Sequence, residues 1–236
     1  MKQLSLAVLS ALAILFSSCE KVTGDGPVII EERLTGNFNG LEVRMDADVQ
    51  VKQEAAWKVE ITAQRNILNV LETYVSNSRL VIKFKNNVRV KNYEQIKIAV
   101  SAPLFNSLKL SGSGSVYANG NFSPANMELA VSGSGDLRIQ QLNTGVVDAS
   151  VSGSGNIYVE SGVVSQERLR ISGSGNIDFP NVVAAEANTQ TSGSGNIRLH
   201  ATQKLDVTIS GSGNVYYKGS PVINTNISGS GKVVHF

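Results

Sequence analysis

Apolar and polar residues largely alternate in five early segments. They are Leu41-Glu42-Val43-Arg44, Asp48-Val49-Gln50-Val51-Lys52, Lys58-Val59-Glu60-Ile61-Thr62, Leu80-Val81-Ile82-Lys83-Phe84 and Ile96-Lys97-Ile98-Ala99-Val100. A period of two is the pattern of strands whose side chains point alternately to opposite faces. One stretch departs from it: Asn66 to Val75 spaces its apolar residues at roughly helical intervals and predicts a short helix or helical turn. Past residue 110 the alternation acquires a clock. Seven Ser-Gly-Ser-Gly motifs begin at Ser111, Ser132, Ser152, Ser172, Ser192, Ser210 and Ser228, in steps of 21, 20, 20, 20, 18 and 18 residues.

That composition alone would suit a flexible linker, but its flanks keep register. The residue before each motif is β-branched or leucine: Leu110, Val131, Val151, Ile171, Thr191, Ile209 and Ile227. Two residues after it stand Val116, Leu137, Ile157, Ile177, Ile197, Val215 and Val233, and two further on Ala118, Ile139, Val159, Phe179, Leu199, Tyr217 and His235. Each repeat therefore reads as strand, glycine turn, strand. Such a unit cannot bury its apolar face alone and must stack on its copies.

The expected fold is all-β, a single-stranded parallel β-helix with about 20 residues per rung in the C-terminal half. The first two columns are aliphatic ladders that form its core, and the third also points inward, with His235 meeting solvent at the open end, leaving almost nothing ionisable inside. The turn glycines are Gly112, Gly114, Gly133, Gly135, Gly153, Gly155, Gly173, Gly175, Gly193, Gly195, Gly211, Gly213, Gly229 and Gly231. The serines between them are placed to hydrogen-bond the turn amides and one another up the stack. Residues 36–110 read as wider, irregular rungs capping the same solenoid, and residues 111–236 as its repeats.

The repeated Gly-Ser-Gly-Asn-Ile at Gly153, Gly173 and Gly193, behind a lipoprotein-type signal and the alternating strands, resembles the autotransporter adhesin head GIN domain family, common in Bacteroidetes. The resemblance covers about residues 36 to 236. It implies a right-handed, pectin-lyase-like β-helix and a role in cell adhesion, and it carries no catalytic residues to transfer.

Composition narrows the picture: 42% hydrophobic, 17% charged and 6% aromatic residues suit a β-rich domain. Residues 1–18 read as a signal peptide, with Lys2, an apolar run from Leu4 to Phe16 and Ser17-Ser18 before the lone cysteine, Cys19. The segment is too short for an ordinary membrane span and resembles a bacterial lipoprotein signal, with Cys19 as the lipidated first residue of the mature chain. A plain secretory signal is the alternative. Residues 19–35 read as a tether. The expected location is the cell envelope, lipid-anchored, at the outer membrane or cell surface. Loss of residues 1–18 removes one cation and no acid, leaving a nearly neutral chain with no reason to bind nucleic acid.

Enzymatic chemistry finds little to stand on. Carboxylates such as Asp136, Asp178 and Glu160 are isolated rather than paired. The column Ser115, Asp136, Asn156, Asn176, Asn196, Asn214 and Lys232 is an amide ladder, not a run of calcium ligands. No metal, cofactor or catalytic residue is expected, and His200 and His235 read as surface or rung-end residues. The most suggestive surface is the outward column Tyr117, Arg138, Tyr158, Asp178, Arg198, Tyr216 and Val234. Tyrosines and arginines at rung spacing can stack on sugar rings or pair with acidic groups of a glycan or host-matrix surface. They can also simply stabilise one another between rungs, and that reading takes precedence. Trp57 reads as packing.

Three functions stay open: an envelope adhesin, a scaffold module of the envelope, and, behind both, a polysaccharide lyase or hydrolase. The sequence stops at Phe236, five residues past the last glycine turn, which predicts a homo-oligomer through the last rung or a flat face. The resemblance to adhesins suggests a trimer.

Overall fold

The computed structural model describes residues 20–236. The signal-type segment and the lipidation read at Cys19 lie outside the described residues. In chain order the elements are β1 (Glu20–Thr23), β2 (Val28–Glu32), β3 (Gly40–Val43), β4 (Asp48–Gln53), β5 (Lys58–Gln64), α1 (Arg65–Leu68), β6 (Leu71–Ser76), β7 (Arg79–Phe84), β8 (Val88–Lys91), β9 (Lys97–Ala102) and β10 (Ser107–Gly112). They continue as β11 (Ser115–Phe122), β12 (Asn126–Gly133), β13 (Asp136–Gly153), β14 (Asn156–Gly173), β15 (Asn176–Gly193), β16 (Ile197–Gly211), β17 (Val215–Lys218), β18 (Val222–Gly229) and β19 (Val233–His235).

The repeats stack as parallel coils. β13, β14 and β15 each run 18 residues from one glycine turn to the next. Their registers put Leu137 on Ile157, Ile157 on Ile177 and Ile177 on Ile197. The three inward columns are buried through Ile209, Val215 and Leu199. The third opens one coil early, at the half-buried Tyr217, and in the last coil Val233 is half-buried and Ile227 and His235 are exposed.

The two glycines of a motif serve different needs. Gly173 sits at φ +132°, a conformation that side chains rarely adopt. Gly175 takes an ordinary φ, but a Cβ there would strike the carbonyl of Gly155 and lie 2.7 Å from Val151 Cγ1. The turn is held by main chain: the amides of Ser174 and Gly175 both donate to Gly153 O, at 2.8 and 3.1 Å. The expected serine hydroxyl ladder does not form. The motif serines mostly face solvent, where water competes for their hydroxyls, and the peptide groups already satisfy the turn. The amide ladder does form: Asn176 Nδ2 donates to Asn156 Oδ1 at 2.9 Å, and Asn176 Oδ1 accepts from the Asn196 amide at 3.1 Å.

Residues 36–110 are only partly rungs. β3 and β4 make one coil, pairing in parallel with β10 and β11 on one side and with β7 and β9 on the other. The expected strand at Lys58 is not a rung: β5 pairs antiparallel with β9, and β2 antiparallel with β5. β6 likewise lies antiparallel to β7, so that end of the stack closes on reversed strands. The predicted helix shrinks to α1, one turn that buries Ile67 and Leu68, and the rest of the segment becomes β6. The expected tether is also structured. Glu20–Thr23 pairs in parallel with β8, and Val28–Glu32 adds to β5. Val22 and Ile29 pack against the core and hold the segment down.

One core residue contradicts the expectation of an apolar interior. Glu167 stands in the inward column Met127, Val147, Glu167, Ala187 and Leu205, fully buried, and neither carboxyl oxygen has a hydrogen-bond partner. Burial raises its pKa well above the ordinary glutamate value, because an apolar site disfavours the charged carboxylate.

Candidate functional site

Parallel stacking that keeps register from each glycine turn to these positions turns the tyrosine and arginine positions into one outward column. Gln50 of β4 lies on Tyr117, followed by Arg138, Tyr158, Asp178, Arg198, Tyr216 and Val234. Most of these groups are engaged with each other. The Arg138 guanidinium lies 4.3 Å from the Tyr158 ring centroid, and that of Arg198 lies 5.5 Å from Tyr216 and 3.6 Å from Asp178 Oδ2. Tyr216 also meets Phe236 edge-on. Burial, then the neighbouring Asp136 carboxylate, raises the Tyr158 phenol above its ordinary pKa, so it stays a neutral donor. This mutual support is the structural role weighed from the sequence.

Tyr117 differs. It begins the column, no cation sits over its ring among the described residues, and it is 36% exposed. Beyond it the sheet continues through β4 and β9 into the antiparallel β5 and β2. The column therefore runs Tyr117, Gln50, Ala99, Glu60 and Glu32. Ala99 has no side chain beyond Cβ, so the column dips between Gln50 and Glu60. Two concavities of about 430 and 550 Å³ adjoin there and share Gln50, Ala99 and Glu60. Tyr117 and Ile30 give the first an apolar rim; Asp48, Lys97 and Thr62 give it charge and hydrogen-bonding groups. On the β5 side of the trough Lys58 pairs with Glu60 at 3.0 Å, and on the other side Asn119 Nδ2 donates to Gln50 Oε1 at 2.6 Å. An aromatic face beside convergent polar groups is the arrangement that binds polar small molecules such as sugars.

The sequence pointed to Tyr117 but missed the trough. Alternation showed the strands carrying Gln50, Glu60 and Ala99, yet not that β5 reverses against β9.

Another face carries a charge ladder that sequence reading also passed over. Glu128 accepts from Lys109 at 2.5 Å and from Ser107 at 3.1 Å and lies 3.7 Å from Arg79, while Asp148 pairs with Arg168 and Arg170. Burial opposes ionisation of Glu128, but the Lys109 hydrogen bond and charge outweigh it and hold the carboxyl below its ordinary pKa. Glu42 is lowered likewise, the Arg44 and Arg79 contacts outweighing burial.

His235 is exposed with its ring edge-on to Tyr217, and Trp57, although 41% exposed, is tied by Nε1–H to Phe38 O at 2.8 Å. The fourteen turn glycines line the coil corners. Among the described residues no three acidic, histidine or cysteine side chains gather to hold a metal, and no helix is long and apolar enough to cross a membrane. Val222, Ile227, Val234 and Phe236 are exposed along the last coil.

Fold and face together define a parallel β-solenoid with outward side-chain columns and a shallow trough beside Tyr117. The family model described as "Putative auto-transporter adhesin, head GIN domain" matches residues 37–221, and the chain belongs to that family. Solved structures share the fold. A "putative adhesin" from Bacteroides fragilis aligns with TM-score 0.85 at 22% identity, over 91% of this chain and 100% of its own. A "putative lipid binding protein" from Parabacteroides distasonis aligns with TM-score 0.75 at 24% identity, over 92% and 100%. A "putative adhesin" from Parabacteroides merdae aligns with TM-score 0.73 at 21% identity, over 92% and 99%. No curated protein sequence matches the chain. Neither the family nor these structures is described as an enzyme.

Proposed function

We propose that the protein is an envelope lipoprotein, acylated at Cys19, that works as an adhesin by binding glycans at the Tyr117 trough. The observation that carries this reading is the uncovered Tyr117 ring at the edge of a dip floored by Ala99, with Asp48, Lys97 and Glu60 around it. A sugar ring stacked on Tyr117 would place its hydroxyls against these donors and acceptors. Membership of an adhesin-head family supports the reading. The rest of the column frames the trough, since Arg138, Tyr158, Arg198 and Tyr216 occupy one another.

A glycan and host-matrix array probed with residues 20–236 tests it. Tyr117→Ala is expected to weaken binding about tenfold or more, whereas Tyr216→Ala leaves it nearly unchanged. Equal loss from both variants, or an array that stays blank while pull-down recovers envelope proteins, would favour a scaffold role instead.

A further inference from the structure

The ribbon formed by β1 and β8 has two unlike faces. Val22 and Val90 turn inward and pack against the core, while Lys21, Thr23, Arg89 and Lys91 are exposed. Register places Lys21 directly beside Arg89 and Thr23 beside Lys91. Three cations thus share one small face. Like charges in a cross-strand pair destabilise a sheet, and a two-stranded ribbon has little stability to spare. Among the described residues none of the three forms an ion pair, although most other cations on the coils have found an acid. Glu20, the nearest acid in sequence, has the opposite strand parity to Lys21.

The position of the ribbon says what the charge faces. β1 begins at Glu20, the residue after Cys19, and Glu20 N is already bonded to Asn87 O at 2.8 Å. No slack chain separates Cys19 from the folded body. An acyl chain on Cys19 would bring the Lys21–Arg89 end of this face within a residue or two of lipid headgroups, inside the Debye length of about 8 Å at physiological salt.

We infer that the outward face of the β1–β8 ribbon, carrying Lys21, Arg89 and Lys91, docks on the anionic headgroups of the membrane that holds the protein. The contact holds at the bilayer the layer of β7 and β9, between which β8 is inserted. The inference rests on the lipoprotein reading for its biological setting but makes a claim of its own about charge.

The test uses residues 20–236, which hold every described strand and the whole core and carry no acyl group. Binding is measured to vesicles of phosphatidylcholine with and without phosphatidylglycerol. Binding is expected only with phosphatidylglycerol and is expected to weaken as salt rises. Each cation near an anionic surface multiplies affinity about fivefold, so Lys21→Gln, Arg89→Gln and Lys91→Gln together should weaken binding on the order of 100-fold. Removing Lys204, Lys218 and Lys232 on distant coils should change it far less. Equal binding by both triple variants, equal binding to neutral vesicles, or tighter binding to soluble polygalacturonate than to vesicles overturns the inference. Should the ribbon variant misfold, amide exchange of the unsubstituted protein decides. Vesicles must slow exchange in β1 and β8, and protection confined to other strands overturns it. Palmitate incorporation at Cys19 is a separate assay, so failure of the lipoprotein reading would be seen apart from failure of this one.

Discussion

Glu167 occupies a place that its column otherwise gives to Met127, Val147, Ala187 and Leu205. A buried carboxyl without a partner is a net cost even when neutral. Glu167→Met is expected to raise stability by about 1–3 kcal/mol in urea denaturation. The folded-state pKa lies above the unfolded value. Stability is therefore fully present below the ordinary glutamate pKa and declines as pH rises from there through the raised folded value. Glu167→Gln should flatten that decline, and an identical pH profile for the variant would refute the assignment. The residue was legible in retrospect, because it shares parity with Leu169 and Ile171, but its neighbours Gln166 and Arg168 make the stretch read as surface. The turns give a sharper contrast. Gly175→Ala pushes a Cβ onto the Gly155 carbonyl and Val151 and should cost about 1–3 kcal/mol. Ser174→Ala, one residue away and exposed, should stay within about 0.5 kcal/mol by thermal melting.

At the scale of elements, the asparagine column ties coil to coil through side chains as well as through the ladder. Asn176→Ala removes the bond to Asn156 Oδ1 and leaves the Asn196 amide without its acceptor. A loss of about 1–3 kcal/mol is expected, and Asn176→Asp should recover part of it by restoring the acceptor to the Asn196 amide. The repeated strands were legible because register is written into them: each motif fixes parity on both sides. The early strands were legible as strands only. Nothing in Lys58 to Thr62 says that its partner is β9 or that it runs the other way, since alternation is the same in both senses. The Ala99 dip follows from that pairing, so the trough could not be read even though every residue of it was in view. Asn66 to Val75 misled for a related reason: helical spacing over a few residues gave way to the pairing of β6 with β7.

Across the whole molecule, one apolar core runs from Phe38 to Val215 without a break. Coils bury their faces only against neighbours, so stability accumulates coil by coil. Residues 20–106 alone should lack cooperative melting, whereas residues 20–173 should fold, as circular dichroism can show. A folded 20–106 fragment would mean that the reversed strands form an independent unit. The reason for the difference lies in the order of the stack, where β3 lies between β7 and β10, and β4 between β9 and β11. The coil written first is thus an inner layer, and its second neighbour ends only at Phe122. A polypeptide threaded through a membrane N-terminus first would have no finished seed until that residue emerged. From then on each arriving turn meets a completed surface of matching spacing and is laid down by accretion, as a crystal adds layers once its nucleus exists.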